Sequence, residues 1–168
     1  MSLVTPRPQV VVVGAADASA EEAEAAEAVG RLLAERGAIV VCGGRGGVMA
    51  AACRGAVARG GITVGLLPGS EAGEGNPFLT IALPTGMGQA RNAVLVLAGE
   101  VLIAIGGGPG TLSEIGLALK AGKRVIGLGT WEARDRRGLP AAILQAGSPE
   151  QAVALALESG PPGLHGGT

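Results

Sequence analysis

Two charged residues stand apart from the rest of this sequence. Between Asn76 and Ser113 the only charged side chains are Arg91 and Glu100. Arg91 falls in the first turn or so of an otherwise apolar segment, Gly88 to Ala98. A cation there opposes the helix dipole by a few tenths to about 1 kcal/mol, so local helix preference does not account for it. It calls for an anion, either a structural carboxylate or a ligand. The second residue is Glu114, which follows the run Val101-Leu-Ile-Ala-Ile105 and the loop Gly106-Gly107-Gly108-Pro109-Gly110. A glycine loop that feeds a helix leaves N–H groups unpaired and adds the positive end of the dipole, which suits phosphate or another anion. Glu114 lies one turn inside such a loop, about where a sugar carried by that phosphate would sit. Thr111-Leu112-Ser113-Glu114 is also a capping-box pattern, in which Glu114 would reach back to the Thr111 N–H. Both readings stand.

The elements that must position these residues alternate in type. Gln9 to Val13, Ala38 to Cys42, Ile62 to Leu67, Val101 to Ile105 and Val125 to Leu128 read as buried strands, with a short strand over Leu79 to Leu83. The Val125 run reads as the last. Helices are expected from Ser19, whose capping box with Glu22 is signed by Glu21 and Glu24, from Val48 to about Arg59, from Gly88 to Ala98, and after Thr111. Glu27 and Arg31 have the spacing of an i,i+4 pair. Pro140 to Gln145 reads as helical, and Ser148-Pro149-Glu150-Gln151 as a capping box with proline at the first helical position. The pattern predicts an α/β fold, a single Rossmann-like doubly wound and mostly parallel sheet with helices on both faces over residues 1–158. The tail 159–168, with four glycines and two prolines, reads as disordered.

Such sheets bind ligands outside the carboxyl ends of their strands. Gly14, the loop Gly43-Gly44-Arg45-Gly46-Gly47, the loop from Pro68 to Pro77 and the Gly106 loop all follow strands, so they should gather at one edge. The loop over 68–77 reads as a lid, a site wall or a plain surface loop. The pattern is not the dinucleotide fingerprint, because the first strand-to-helix turn carries only Gly14.

Composition narrows the function. The 168 residues suit one domain, with 48% hydrophobic residues and a mean hydropathy of +0.44. No run reaches the roughly 18 unbroken apolar residues of a membrane span, since Glu100 interrupts the most apolar stretch. A net charge of −1 with Phe78 and Trp131 as sole aromatics gives neither a basic stripe nor a row of stacking platforms, which argues against nucleic acid. Cys42, Cys53 and His165 do not make a zinc set, so no metal or other cofactor is expected, and the cysteines read as small buried hydrophobes. Trp131 reads as a pocket or interface residue or a partly buried core residue. With no export signal in the sequence, a cytoplasmic location is expected.

The run Gly107-Gly108-Pro109-Gly110-Thr111-Leu112-Ser113-Glu114 resembles the Pro-Gly-Gly-x-Gly-Thr-x-x-Glu motif of the Lonely Guy (LOG) phosphoribohydrolases, once labelled possible lysine decarboxylases. Gly43-Gly44 through Gly47-Val48-Met49 is similar to that superfamily's second glycine motif, and Gly86-Met87-Gly88-Gln89-Ala90-Arg91-Asn92 occupies the place of its Met-His-x-Arg-Lys motif. The likeness covers roughly Gln9 to Leu128. It departs where Gly106 replaces proline, Gly88 and Gln89 replace Met-His, and Asn92 replaces lysine, which brings it closer to the small bacterial branch that includes molybdenum-cofactor carrier proteins. The resemblance implies hydrolysis of the N-glycosidic bond of AMP or an N6-modified AMP to free base and ribose 5-phosphate, with Arg91 and Glu114 catalytic. Gly14, Gly43, Gly44, Gly47, Met87, Asn92, Gly107, Gly108, Gly110 and Thr111 would hold phosphate and ribose. The alternative is a non-catalytic carrier or sensor of a phosphate-bearing ligand, molybdenum cofactor or nucleotide. The family also implies a homodimer or higher homo-oligomer. Lysine decarboxylation is not expected, because pyridoxal chemistry needs a Schiff-base lysine and Lys120 lies roughly 14 Å of helix beyond the glycine loop.

Overall fold

The computed structural model describes residues 6–158; the tail expected to be disordered, and His165 within it, lie outside the described residues. Seven strands form one sheet: β1 (Gln9–Gly14), β2 (Ile39–Cys42), β3 (Thr63–Leu67), β4 (Ile81–Pro84), β5 (Val101–Ile105), β6 (Arg124–Leu128) and β7 (Ile143–Ala146). Their order is β4-β3-β2-β1-β5-β6-β7, and every pairing is parallel. Five α-helices cover it: α1 (Ala20–Glu35), α2 (Val48–Val57), α3 (Arg91–Leu97), α4 (Pro109–Lys120) and α5 (Pro149–Leu157). This is the doubly wound α/β arrangement that alternating apolar runs predict.

The two-residue period of the strands sorts the core into two layers. Val10 and Val12 of β1 with Val101, Ile103 and Ile105 of β5 face α1, α2 and α5. Val11, Val13, Leu102 and Ala104 face α3 and α4, where Leu95, Val96, Ile115 and Ala118 meet them. Burial on both sides is why β1 and β5 read as unbroken apolar runs rather than alternating ones. Each such aliphatic side chain removed from water contributes about 1.5–3 kcal/mol. The strand order reverses between β1 and β5, and there the loops on either side diverge and leave a crevice.

Several local expectations change. The segment Pro140 to Gln145 is not a helix: Ile143–Ala146 is β7, parallel to β6, so the sheet does not end at Leu128. Helix-forming composition yields here to the open edge of β6, whose backbone groups need partners. The segment Gly88 to Ala98 divides into a 3-10 turn, Gly88–Ala90, and α3 proper. α2 stops at Val57 rather than Arg59, and the short fourth strand starts at Ile81 rather than Leu79. Glu27 and Arg31 do not pair. Arg54 of α2 takes Glu27 at 2.6 Å and Arg31 pairs with Glu35 at 3.2 Å, because α1 and α2 pack side by side and bring a better-placed guanidinium to Glu27.

The capping boxes divide as well. Ser19 and Glu22 form theirs fully. At α5 the Ser148 hydroxyl accepts from Gln151, but the Gln151 side chain accepts from Gly147 instead of the capping residue. At α4 the box is absent. Gly108 is the capping residue and Pro109 takes the first helical position, where its missing N–H is harmless. The helix thus begins two residues before Thr111, and Glu114 lies past the turn in which a capping carboxylate acts.

Candidate functional site

At the carboxyl ends of the strands lies a cavity of about 510 Å³, within the range of small-molecule sites. Val13 and Gly14 at the end of β1 with Ala15 and Ala16 after it form one wall, Gly108 to Thr111 and Glu114 at the head of α4 the other, and Arg91 and Asn92 of α3 project from a third side. Arg45 and Pro68 from the loops after β2 and β3, Met49 of α2 and the Gly88–Gln89 turn complete it. Arg91, Asn92, Glu114, Gly14, Gly108, Gly110 and Thr111 thus line one cavity. The parallel sheet is the reason: each strand hands its following loop to the same edge.

Arg91 is the unusual group. It is only 8% exposed, and its Nε and Nη1 are buried with no hydrogen-bond acceptor. Burial pulls its pKa down from the usual guanidinium value, while the charge of Glu114 pushes the other way. Glu114 in turn is pushed up to about 7 by burial, against the opposing pull of Arg91. Among the described residues the two form no direct ion pair within 4.0 Å. The cavity therefore holds a guanidinium with unused donors and a carboxyl group poised near neutrality. Among the described residues Arg91 has no structural salt bridge. At the head of α4, helix geometry leaves the N–H groups of Gly110 and Thr111 without an intrahelical acceptor, and both residues line the same cavity.

The remaining glycines shape this site instead of lining it. A methyl group at Gly43 would stand 2.5 Å from Arg91 Nη1, so the absence of a side chain is what admits the guanidinium. Gly44, at φ +76, donates its N–H to Cys42 Sγ and accepts from the Asn76 N–H. Gly47 caps α2 at φ +62, packed on the Ala15 and Ala16 carbonyls with no room for a Cβ. Gly107, at φ +99, gives its N–H to Glu22 at 3.1 Å. Met87 is 46% exposed and does not line the cavity.

Arg45 was not singled out by the sequence. It lines the cavity and reaches Glu74 of the 68–77 loop at 3.5 Å; of that loop, Pro68 lines the cavity. A cation inside a glycine loop is the signal that marks it. Cys42 and Cys53 are both buried, with sulfurs 3.6 Å apart beneath this floor. The hydrogen bond to Cys53 and burial raise the Cys42 thiol.

Residues 7–153 match the SLOG cluster4 family. The chain belongs to that family. Among solved structures, the molybdenum cofactor binding protein of Rippkaea orientalis is 35% identical with a TM-score of 0.81, covering 90% of this chain and 96% of that one. The molybdenum cofactor carrier protein of Chlamydomonas reinhardtii is 35% identical with a TM-score of 0.78, covering 89% and 96%. An uncharacterised protein of Archaeoglobus fulgidus is 45% identical over 120 residues, 71% of this chain and 79% of its own. DNA processing protein A of Helicobacter pylori, at 18% identity and TM-score 0.67, covering 89% of this chain and 80% of that one, shares the fold alone. The LOG assignment thus resolves to this SLOG branch of the Rossmann-like superfamily.

Proposed function

We propose that this SLOG cluster4 protein is a non-catalytic carrier or sensor of a phosphate-bearing small molecule, a molybdenum-cofactor-type pterin before a plain nucleotide. The observation that carries the reading is the buried guanidinium of Arg91, whose Nε and Nη1 lack acceptors at the cavity wall. A buried unpaired charge costs several kcal/mol unless a ligand satisfies it. A phosphate in the cavity offsets that charge, held between Arg91 and the free N–H groups of Gly110 and Thr111. Arg45 adds a second positive charge at the rim. Likeness at 35% identity to two molybdenum-cofactor-binding proteins supports the pterin.

A second reading keeps the LOG-type hydrolysis of a nucleoside 5'-monophosphate. What favours it is Glu114, since a carboxyl group near 7 is matched to proton transfer at neutral pH. There it would stabilise positive charge at C1' or activate water while Arg91 assists the departing base.

Incubation of the purified protein with AMP and N6-isopentenyl-AMP, with free base followed by chromatography beside an Arg91→Ala, Glu114→Ala double variant, separates the two. The carrier releases no base from either protein, and nucleotide or phosphorylated pterin still raises the melting temperature of the wild type. Base released by the wild type alone would replace the carrier with the hydrolase. We also propose a homodimer or higher homo-oligomer. Met87, Val94 and Leu97, exposed by 46, 42 and 62%, supply apolar surface for such an association, and sedimentation at micromolar concentration tests it.

A further inference from the structure

The loop Gly106–Gly108 that delivers α4 to the cavity is fastened from its other side. Glu22, in the first turn of α1, uses its two carboxylate oxygens on two targets. Oε2 accepts the Ser19 N–H at 2.8 Å, and Oε1 accepts the Gly107 N–H at 3.1 Å across 85 residues of sequence. These bonds to Ser19 and Gly107 hold the carboxyl below its usual range. The Trp131 indole Nε1 donates to the Gly107 and Gly108 carbonyls at 3.1 and 3.2 Å, and the Thr130 hydroxyl donates to the Gly106 carbonyl at 2.5 Å. Gly106 and Gly107 sit at φ +53 and +99, conformations that few neighbours would hold in place by themselves.

We infer that Glu22 and Trp131 are positioning residues for the anion site: together with Thr130 they clasp the Gly106–Gly108 backbone so that the Gly110 and Thr111 N–H groups face the ligand. This rests on the proposed phosphate-binding function. The N–H of Gly107 is committed to Glu22 and cannot serve a phosphate at the same time, so the ligand's anion meets the loop at Gly110 and Thr111. Neither Glu22 nor Trp131 lines the main cavity; they act through the loop alone. Trp131 is the one tryptophan of the chain and there is no tyrosine, so its emission reports on this loop without background.

The test titrates wild type, Glu22→Ala, Trp131→Phe and Ser19→Ala with AMP and with inorganic phosphate by calorimetry, and records wild-type Trp131 emission alongside. Glu22→Ala and Trp131→Phe should each bind AMP at least about 10-fold more weakly at a temperature well below melting. Ser19→Ala removes the hydroxyl cap of α1 but leaves the Gly107 bond, so it should lower the melting temperature and keep wild-type affinity. Emission should shift with AMP and not with adenosine. Wild-type affinity in both Glu22→Ala and Trp131→Phe would overturn the clasp. If the wild type binds neither probe, a plain nucleotide is excluded as the ligand of the proposed function. Amide exchange at Gly107 then still decides the clasp: slow in wild type and fast in Glu22→Ala supports it, equal rates overturn it.

Discussion

Arg91 and Glu114 sit in one cavity with opposite demands on the fold. Arg91 is buried with donors unused, so in the absence of ligand it destabilises the protein. Replacing it with Met should raise ligand-free stability by about 1–3 kcal/mol while weakening nucleotide or pterin binding by at least about 10-fold. Urea unfolding and calorimetry on the same preparation check both halves. Glu114 behaves differently because its charge depends on pH. Its carboxyl group is near 7 in the folded chain and near 4.5 when exposed. The native state therefore holds a proton that the unfolded chain has lost between those values. The stability this provides is full below about pH 4.5 and is lost as pH rises through 7. Glu114→Gln should be more stable than the wild type by about 3 kcal/mol at pH 8 and nearly equal to it at pH 4. A constant difference across that range would contradict the burial of this carboxyl group.

At the scale of elements, the site depends on close approach of backbone to side chain. Gly43 follows β2 and leaves the space that the Arg91 guanidinium fills. Gly43→Ala should displace Arg91, weakening ligand binding at least about 10-fold, whereas Gly46→Ala, whose nearest neighbour to an added Cβ is the Ala16 carbonyl at 3.5 Å, should bind as the wild type does. Removing the Ser19 cap should cost about 1 kcal/mol. The elements also show how far the sequence could be read. β1, β2 and β5 were legible because strands buried on both faces are unbroken Val and Ile runs, and α1 because its cap is written in Ser19 and Glu22. β7 was not, because Ala141-Ala142-Ile143-Leu144 favours a helix and only pairing with β6 makes it a strand. Nor was the start of α4. Thr111 to Glu114 has the letters of a capping box, but Pro109 opens the helix first and releases Glu114 to the cavity. Arg91 was legible as an unexplained cation; its partnerless burial required the packing of Gly43 to be seen.

At the scale of the whole molecule, one parallel sheet reverses its order between β1 and β5 and collects the loops after β1 to β5 at one edge. Convergence of the glycine loops follows from strand direction and was legible. The clasp between α1 and the Gly106 loop was not, since nothing local relates Glu22 to Gly107. A ligand bound only by the folded sheet edge stabilises the entire domain, by about 2.7 kcal/mol when present at 100 times its dissociation constant. Thermal unfolding with saturating ligand should therefore shift as one transition in the wild type and shift by about half as much or less in Arg91→Ala. The most direct measurement is anaerobic gel filtration of wild type and Arg91→Ala with phosphorylated molybdopterin, following pterin fluorescence in the protein fraction. Pterin that travels with the wild type, chemically unchanged, and separates from Arg91→Ala is the predicted result. Equal retention by both proteins, or none by the wild type, would contradict a phosphate-binding carrier built on Arg91.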